Sequence, residues 1–538
     1  MIDPKTFLRP SSVAQPLIHR WYAWPYLIAP HTGALNLRER LLPIIRNYLD
    51  GPERHAEALA NPVFYGGPFI DPGPAGVAGV AALLEATLRD GHSRLALADD
   101  IEQVQQLVEQ HGTGGTLEPL YARLPSSLRG CVELVYDNAH RPSCRFFEPL
   151  LYRKTAAEAQ HQLLSFSARH ERGQPFVYGS PVLPRDGRLD VAQPFASDVW
   201  DAVFAARLNP VDARELAQRL GLESEAAAQF TGLFTETAPR PACGVELGRV
   251  RTRFFGHAAV LVETAGSAVL LDPLIGYEDD GYDHFTISDL PPRLDAVVIS
   301  HFHSDHFSLE TLLQLRSRTD TILVPRSSGG SLPDPSLKTM LSALGFRDVR
   351  ELGELDSVRV AGDIEVLALP FLGEHADLDI RTKMVPLVCA AGRTFMFATD
   401  ITPLEPQLYD LVHDTFQQVD ALFIGLECVG APLSWLYGPL LRRPASRRDN
   451  ESRRLKGSDA AQADLLAQKM NAQRVFAYAM GLEPWLKHLT GSEYDPDSEQ
   501  VRQSRLLTDL CARRGVQAEL LHIKAEFEWS AVDRGRQR

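Results

Sequence analysis

The stretch that decides the fold is His301-Phe302-His303-Ser304-Asp305-His306. It follows the apolar run 294–300, which is rich in β-branched residues and predicts a short buried strand. Ser308 then has the position of an N-cap for the helical pattern over 309–315. The sequence therefore predicts three imidazoles and a carboxylate on a tight loop between a strand and a helix.

The spacing within this loop predicts a site for two cations. Alternate residues of an extended segment point the same way, so His301 and His303 can bind one cation while Asp305 and His306 face a second. Neutral imidazoles and a carboxylate suit Zn, Fe or Mn. The alternative is a surface loop rich in histidine. With 17 histidines in 538 residues, three in six positions beside an aspartate would rarely occur by chance.

Length and composition are those of a globular protein with two or more domains. The chain has 538 residues, against about 100–200 residues for a typical domain. Its hydrophobic content of 44% and charged content of 23% are ordinary. A formal net charge of −14 argues against a general binder of nucleic acid or of anionic membranes, because both need clustered positive charge.

The six cysteines are scattered and form no C-x-x-C pair, which excludes a thiolate zinc finger and argues against a disulfide scaffold. The first residues lack a basic region followed by an apolar one, so we see no signal peptide. No run of about 18 apolar residues occurs. We therefore expect a cytoplasmic enzyme with neither a nucleic-acid nor a membrane partner.

Residues 1–240 are predicted to form an N-terminal domain that is mixed but largely helical. Helical spacing recurs at 35–49, 75–90, 101–111, 156–167 and 212–220, and 131–136 is strand-like. The aromatic segment Trp21-Tyr22-Ala23-Trp24-Pro25-Tyr26 predicts an anchor on the core, the alternative being an oligomer or partner surface. No catalytic motif is visible, so covering an active site, dimerising and receiving a partner all stay open.

The segment 237–244, with two prolines and a glycine, reads as a linker, and residues 245–538 follow a different pattern. A hairpin is predicted through Ala265-Gly266-Ser267, followed by the metal-loop strand and its helix. Short strands then alternate with helices near 335–344, 403–416 and 458–470. Strands in two groups predict two sheets packed face to face with helices outside.

The H-x-H-x-D-H loop resembles that of the metallo-β-lactamase superfamily. Gly256-His257-Ala258 and Leu271-Asp272-Pro273 resemble the opening strands of its phosphodiesterase-like branch. The resemblance covers residues 249 to about 525 and implies an αβ/βα sandwich with a metal site between the sheets. Asp400 follows a predicted strand where this superfamily has a bridging carboxylate; the alternative is a turn aspartate.

Two departures from the hydrolases of this superfamily indicate a different chemistry. Where they usually have a histidine ligand, this chain reads Glu374-His375, so either residue can take that place. The late segment 475–481, where a further histidine is usual, has none. Anionic oxygen ligands stabilise ferric iron and leave positions open for O2, so the pattern points to a di-iron oxygenase on a hydrolase scaffold.

The whole chain, with its early Trp21 segment and with Glu374, Asp400 and Glu427 in the later part, resembles the di-iron aminoacyl β-hydroxylases of nonribosomal peptide antibiotic pathways, of the chloramphenicol-pathway type. By position, this resemblance implies the following metal ligands: His301, His303 and Glu374 for one iron, Asp305 and His306 for the other, and Asp400 as the bridge. Glu374 and Glu427 are its catalytic candidates. Glu427 either binds metal or hydrogen-bonds within the site, unless it is a structural carboxylate at a strand end.

The resemblance also implies cofactors and partners. These are two Fe ions, O2 as co-substrate, a homodimeric state, and an amino acid held as a thioester on the carrier domain of a nonribosomal peptide synthetase. No flavin or nicotinamide motif appears, so we expect an external electron donor. Residues 442–456 hold seven basic side chains against two acidic ones, which predicts a docking surface for an acidic carrier; the alternative is a solvated loop.

Two functions other than an oxygenase are possible on this scaffold. A zinc or manganese hydrolase of phosphodiester or thioester bonds would use a metal-bound water. A non-catalytic binding protein is disfavoured by the intact loop and Asp400. Glu374 and the missing late histidine favour the oxygenase over the hydrolase.

Overall fold

The structure is a computed structural model that describes residues 5–532 apart from 62, 63, 65, 112, 113, 172, 241, 242, 280, 417, 492 and 493. Its second half contains two seven-stranded sheets packed face to face, as predicted. A mixed, largely helical part precedes them. None of the described helices is long and apolar enough to cross a membrane.

The first large sheet carries the metal loop. The strand before this loop, Leu294–Val298, is fully buried and runs parallel to both neighbours. The predicted hairpin joins Val260–Glu263 to Ala268–Leu271. In order across the sheet, the strands are Val349–Leu352, Thr319–Pro325, Leu294–Val298, Ala268–Leu271, Val260–Glu263, Arg249–Phe254 and Ala525–Ser530.

The second large sheet supplies the other side of the site. It begins with antiparallel hairpins and ends in parallel strands, which place several strand ends at one edge. In order, its strands are Ser357–Ala361, Ile364–Leu369, Val385–Ala390, Arg393–Thr399, Ala421–Ile424, Arg474–Ala477 and Gln517–Leu520.

Apolar side chains from both sheets form the core between them, among them Val260, Val298, Val388 and Phe423. This is the usual interior of two stacked sheets. The helices lie outside and cover the outer faces. In this half they are Leu309–Leu315, Leu337–Ala343, Pro406–Phe416, Leu433–Tyr437, Arg447–Ser452, Ala460–Lys469, Lys487–Thr490 and Glu499–Arg513, with short 3₁₀ turns at Ile287–Asp289, Arg316–Arg318, Gly438–Leu440 and Pro484–Leu486.

The N-terminal part combines helices with a four-stranded sheet in the order Trp21–Tyr22, Val13–Ile18, Gln162–Ser167 and Arg188–Ala192. Phe7–Leu8 pairs with Phe234–Thr235, and Val132–Tyr136 pairs with Pro142–Phe146. The helices are Pro25–Ile28, Pro30–Asn36, Leu42–Asp50, Pro52–Leu59, Gly76–Asp90, His92–His111, Glu148–Lys154, Val199–Ala205, Ala213–Arg219 and Ser224–Thr231, with 3₁₀ turns at Gly73–Ala75, Glu118–Arg123 and Ala156–His161.

The helix predicted over 156–167 was wrong. Only a 3₁₀ turn, Ala156–His161, forms there, and Gln162–Ser167 is a central strand of the four-stranded sheet. All four residues from 164 to 167 are buried, because the strand lies in the interior of this sheet. Pairing with Val13–Ile18 along the whole segment outweighs the local helical spacing.

The aromatic segment is an anchor, as predicted, rather than an exposed surface. Trp21, Trp24 and Tyr26 are buried, and the Tyr26 hydroxyl donates to the Pro333 carbonyl at 2.6 Å. The Tyr22 hydroxyl donates to the buried Glu310 at 2.8 Å. One apolar core runs through both parts of the chain. The division at residues 240 and 245 stays a prediction.

Candidate metal centre

Loops at one edge of the two large sheets bring the predicted site residues together. The six-residue loop follows Leu294–Val298, and the Ser308 hydroxyl accepts a hydrogen bond from Thr311 N at 3.3 Å, as expected of an N-cap. Glu374 lies on the loop after Ile364–Leu369, and Asp400 directly follows Arg393–Thr399. Residues separated by a hundred positions in sequence thus share one buried site.

Three overlapping sets of side chains can each hold a cation, with ligand atoms within 4.8 Å of one another. The first set combines two imidazoles of the strand-to-helix loop with the Glu374 carboxylate. The second set shares His301 with the first, and the third shares His306 with the second. The sets are His301, His303 and Glu374; His301, His306 and Asp400; and His257, Asp305 and His306. All six predicted metal-binding residues are included, and Glu374 rather than His375 joins the first set.

His301 and His306 each direct one ring nitrogen towards a carboxylate, while the other ring nitrogen contacts a polar side chain. His301 Nε2 lies 3.4 Å from Glu374 Oε2, and its Nδ1 lies 2.9 Å from the Ser300 hydroxyl. His306 Nε2 lies 2.9 Å from Asp400 Oδ2. A hydrogen bond on the second nitrogen fixes the orientation and tautomer of a metal-binding histidine.

His303 uses the opposite nitrogen. Its Nδ1 contacts Glu374 Oε1, and its Nε2 lies 3.3 Å from the hydroxyl of Tyr437. Tyr437 is fully buried and packs edge-on against Tyr26 of the N-terminal part. The N-terminal part therefore supports the centre through this tyrosine pair, which no sequence motif indicates.

Asp272 contacts both ends of the metal loop. It accepts hydrogen bonds from Ser300 N at 2.7 Å and from the Ser300 hydroxyl at 2.6 Å. Its Oδ2 also lies 2.9 Å from His306 Nδ1. In the sequence, Leu271-Asp272-Pro273 indicated only a resemblance; the structure shows a carboxylate that holds a ligand candidate in place.

Replacing Asp272 by asparagine is expected to weaken metal binding about 10- to 100-fold, since loss of a group that orients a ligand typically has this effect. An amide cannot accept from Ser300 and His306 as the carboxylate does. Competition with a chelator measures the affinity. Asp295→Asn is the matched control, because Asp295 is also buried in this sheet and accepts from Ala268 N at 2.8 Å, outside the three sets. Equal affinities in the two variants would remove this role for Asp272.

His257 is a member of the site that sequence reasoning missed. Its Nε2 lies 3.2 Å from Asp305 Oδ2, and its Nδ1 accepts a hydrogen bond from Gly481 N at 3.1 Å. Because Nδ1 accepts, the ring proton of a neutral His257 is on Nε2 and points at Asp305. His257 is therefore better suited to positioning Asp305 than to binding a metal ion directly. Its only signal in the sequence was the Gly256-His257-Ala258 resemblance.

Strained backbone is concentrated around the centre. His257, Asp272, Glu374, Thr399 and Ala479 have positive φ angles of 48°, 40°, 61°, 44° and 55°. Such conformations cost about 1–3 kcal/mol each for residues with a side chain, and they persist where the surroundings enforce them, often at functional sites. The strain fits a site whose side-chain directions are fixed before a ligand arrives.

The buried charges favour cation binding. Burial, with the neighbouring His306 and His303, holds the pKa of His301 well below its usual value, so its ring is neutral and one ring nitrogen offers a lone pair. Burial opposes the charged form of His306 too, but Asp400 and Asp272 raise its pKa well above normal. Three carboxylates and three imidazoles in one buried volume provide the negative charge that two cations need.

Two adjoining cavities reach the centre. The larger, of about 800 Å³, is lined by Asp305, Glu374, Asp400 and Glu427 among others. The smaller, of about 190 Å³, also reaches Glu374 and Asp305 and adds His303. Substrate therefore has a route to the side chains that can hold metal.

Glu427 lines the larger cavity without joining any of the three sets. The Tyr494 hydroxyl donates to its Oε1, and Gln500 Nε2 lies 3.4 Å from its Oε2. Burial raises the pKa of Glu427 to about 8, so its carboxyl group carries a proton at neutral pH. This arrangement favours the hydrogen-bonding alternative over direct metal binding.

Comparison with known proteins agrees with this geometry. Residues 7–239 match the family described as diiron non-heme beta-hydroxylase N-terminal domain, and residues 268–431 match the beta-lactamase superfamily domain. The chain is 37% identical over 533 residues to the 4-amino-L-phenylalanyl-[CmlP-peptidyl-carrier-protein] 3-hydroxylase of Streptomyces venezuelae, covering 96% of this chain and 98% of that protein. The chain belongs to the family of diiron non-heme β-hydroxylases.

The β-hydroxylase also matches a solved structure over its whole length. The crystal structure of CmlA, a diiron β-hydroxylase from Streptomyces venezuelae, superposes with a TM-score of 0.90 at 35% sequence identity, covering 98% of this chain and 99% of that one. The predicted enzyme class, the αβ/βα sandwich and the N-terminal domain type are confirmed.

The residues present fit two iron ions. Three buried ligand atoms at the centre, His301 Nε2, Glu374 Oε2 and Asp400 Oδ1, have no hydrogen-bond partner. Buried polar atoms without partners are costly and rare, so a group that accepts their lone pairs belongs among them. Imidazole nitrogen and carboxylate oxygen are suitable donors for iron. The diiron centre of the family therefore has its donor set in this β-hydroxylase.

Proposed function

We propose that the β-hydroxylase adds one oxygen atom to the β-carbon of an amino acid held as a thioester on a nonribosomal peptide synthetase carrier protein. The name of the Streptomyces venezuelae relative supports a carrier-bound aminoacyl substrate. The observation that carries the reaction type is Glu374, an anionic oxygen ligand candidate grouped with His301 and His303 where hydrolases usually have a third histidine.

The ligand assignment follows the geometry of the three sets. His301 Nε2, His303 Nδ1 and Glu374 would hold one iron; Asp305 and His306 Nε2 would hold the other, with Asp400 between them. Asp400 Oδ2 lies 2.9 Å from His306 Nε2 and 3.9 Å from His301 Nε2, so it faces ligand candidates for both ions. Bound iron supplies the activation of O2, which no side chain of the protein can provide.

The overall reaction balances with an external reductant. A C–H bond, O2, two electrons and two protons give a C–OH group and one water molecule. The two electrons must come from outside the chain, since no flavin or nicotinamide motif is present in the sequence. We infer a separate redox protein. The homodimeric state and the cytoplasmic location stay predictions.

Glu374 and Glu427 have different places in this scheme. Glu374 lines both cavities and is 9% exposed, so it lies between the substrate space and the metal ligands. Its movement would open a coordination position when substrate is bound. Glu427, held by Tyr494 and Gln500, would donate or relay a proton across the larger cavity.

The basic segment 442–456 borders the larger cavity and supports a carrier-docking role. Arg453 Nε donates to the Ala376 carbonyl at 2.8 Å and Arg454 Nε to the Val429 carbonyl at 3.0 Å, which fixes the segment beside the Glu374 loop. Arg447 is 92% exposed on the short helix Arg447–Ser452, and Arg448 is exposed beside it. An ordered basic rim at the entrance would attract an acidic carrier or the phosphate of its arm.

Reversing both charges, in Arg447→Glu with Arg448→Glu, is expected to weaken carrier binding about tenfold at low ionic strength, with a smaller difference at high salt because salt screens exposed charges. Titration calorimetry at two salt concentrations measures this. The matched control reverses Arg214 and Arg219, which are exposed on the helix Ala213–Arg219 and line neither cavity. Unchanged carrier binding at low salt would remove the docking surface from this segment.

Metal content and O2 uptake test the proposed reaction. The purified β-hydroxylase should contain iron, and O2 consumption should require both the loaded carrier and a reductant. The competing function is a zinc or manganese hydrolase on the same scaffold. Zinc without O2 uptake, together with cleavage of a phosphodiester or of the thioester, would favour that function instead.

A further inference from the structure

Arg40 lies on an unusual piece of backbone beside the active-site cavity. Leu37–Leu41 forms a π-helical turn between the helices Pro30–Asn36 and Leu42–Asp50. Such turns are rare and occur frequently at functional sites, because the wider turn redirects the side chains that follow. Arg38 on the same turn pairs with Asp99 near the surface, whereas Arg40 is buried.

The Arg40 guanidinium has no counter-charge within the part of the chain that the structure describes. It donates to the Trp435 carbonyl, while its Nε is buried without a hydrogen-bond partner. Its Cζ lies 5.8 Å from the centroid of the Trp24 ring. Burial lowers the pKa of Arg40 to about 10, which still leaves it charged at neutral pH. Burying a charge without a partner is costly, so this cation is suited to a ligand.

The location of Arg40 limits which part of a substrate can reach it. It lines the cavity of about 190 Å³ together with His303 and Glu374. A substrate with its β-carbon beside these ligand candidates would place its own side chain in this cavity. The other walls include six aromatic residues, which suit a planar ring: Trp24, Tyr26, Phe176, Tyr178, Phe302 and Trp435.

We propose that Arg40 determines specificity by donating hydrogen bonds to an oxygen acceptor at the far end of the tethered amino-acid side chain. The inference rests on the proposed hydroxylation of a carrier-bound aminoacyl group. A phenol oxygen or a carboxylate provides the required acceptor, and the guanidinium matches the geometry of the latter. The phosphate of the carrier arm is at the opposite end of the arm from the thioester. It therefore does not reach Arg40, which lines the same cavity as the metal-ligand candidates.

The test compares wild type with Arg40→Met on carrier loaded with phenylalanine, tyrosine or 4-carboxyphenylalanine. Wild type should have a higher kcat/KM for the two oxygen-bearing groups. Arg40→Met should lower kcat/KM for them by about 10- to 100-fold, the effect of losing a hydrogen bond to a charged group, with a smaller loss for phenylalanine. The ratio between tyrosine and 4-carboxyphenylalanine shows which oxygen the site prefers.

Arg46→Met is the control, since Arg46 is exposed on the adjoining helix Leu42–Asp50 and lines neither cavity. Its kcat/KM ratios should equal those of wild type. Anaerobic binding of the matching aminoacyl-pantetheine amides provides a readout without oxygen chemistry. If binding shows a preference that depends on Arg40 but no substrate is turned over, the specificity subsite stands and the proposed hydroxylation is wrong. An equal loss for all three substrates, or no preference in wild type, would overturn the subsite.

Discussion

Replacing Asp400 by asparagine is expected to abolish hydroxylation, with kcat/KM at least about a thousandfold lower. The carboxylate lies between His301 and His306, has one buried oxygen without a partner, and is the only group placed to bridge the two proposed ions among the six described ligand candidates. An amide offers a single neutral oxygen, so several kcal/mol of cation stabilisation are lost, and each 1.4 kcal/mol is about tenfold in rate. Turnover and iron content per chain measure the effect.

The control for this change is Asp379→Asn, because the Asp379 side chain is 80% exposed and outside the three sets. It should keep wild-type iron content and turnover. Full iron content and activity in Asp400→Asn would show that Asp400 is an ordinary aspartate at a strand end, which is the alternative that the sequence left open.

Replacing Glu374 by glutamine should remove iron from one site and lower kcat/KM by about a hundredfold or more, whereas His375→Gln should keep both iron ions. Glu374 Oε2 is buried without a hydrogen-bond partner and lies 3.4 Å from His301 Nε2. His375 Nε2 is also buried without a partner, but His375 belongs to none of the three sets. Its ring stacks on the His303 ring with centroids 4.6 Å apart, and its Nδ1 lies 3.3 Å from the Gly373 carbonyl. A neutral amide is a poor substitute for an anionic ligand.

The two variants test each other, because both change a buried polar side chain on the same strained loop. Iron analysis, with thermal unfolding to verify that each variant folds, separates a ligand from a packing residue. Loss of iron in His375→Gln, with normal iron in Glu374→Gln, would reverse the assignment and restore the histidine that hydrolases of this superfamily use.

The metal loop and the sandwich could be predicted because their signals are local. His301, His303, Asp305 and His306 lie within six positions, and the strand and helix around them follow simple apolar patterns. Asp400 was predicted from the resemblance, because it stands where the metallo-β-lactamase superfamily has a bridging carboxylate. The helix expected over 156–167 failed for the opposite reason, because pairing with Val13–Ile18 decides that segment and no local pattern shows it.

The supporting residues could not be predicted, since only the folded chain brings them to the site. Asp272 reaches Ser300 and His306 across neighbouring parallel strands. Tyr437 approaches His303 from 134 positions away. Arg40 faces the cavity because of a π-helical turn, which leaves no recognisable pattern in the sequence. These contacts depend on tertiary packing between distant parts of the chain, and no local sequence pattern encodes them.

The fate of labelled O2 tests the central claim most directly. The β-hydroxylase, a reductant and a carrier loaded with an aminoacyl group are incubated under oxygen-18 gas, and the tethered group is analysed by mass spectrometry. One labelled oxygen atom on the β-carbon, with the thioester intact, is the expected result. Release of the unmodified amino acid, or oxygen derived from water at that carbon, would contradict the account.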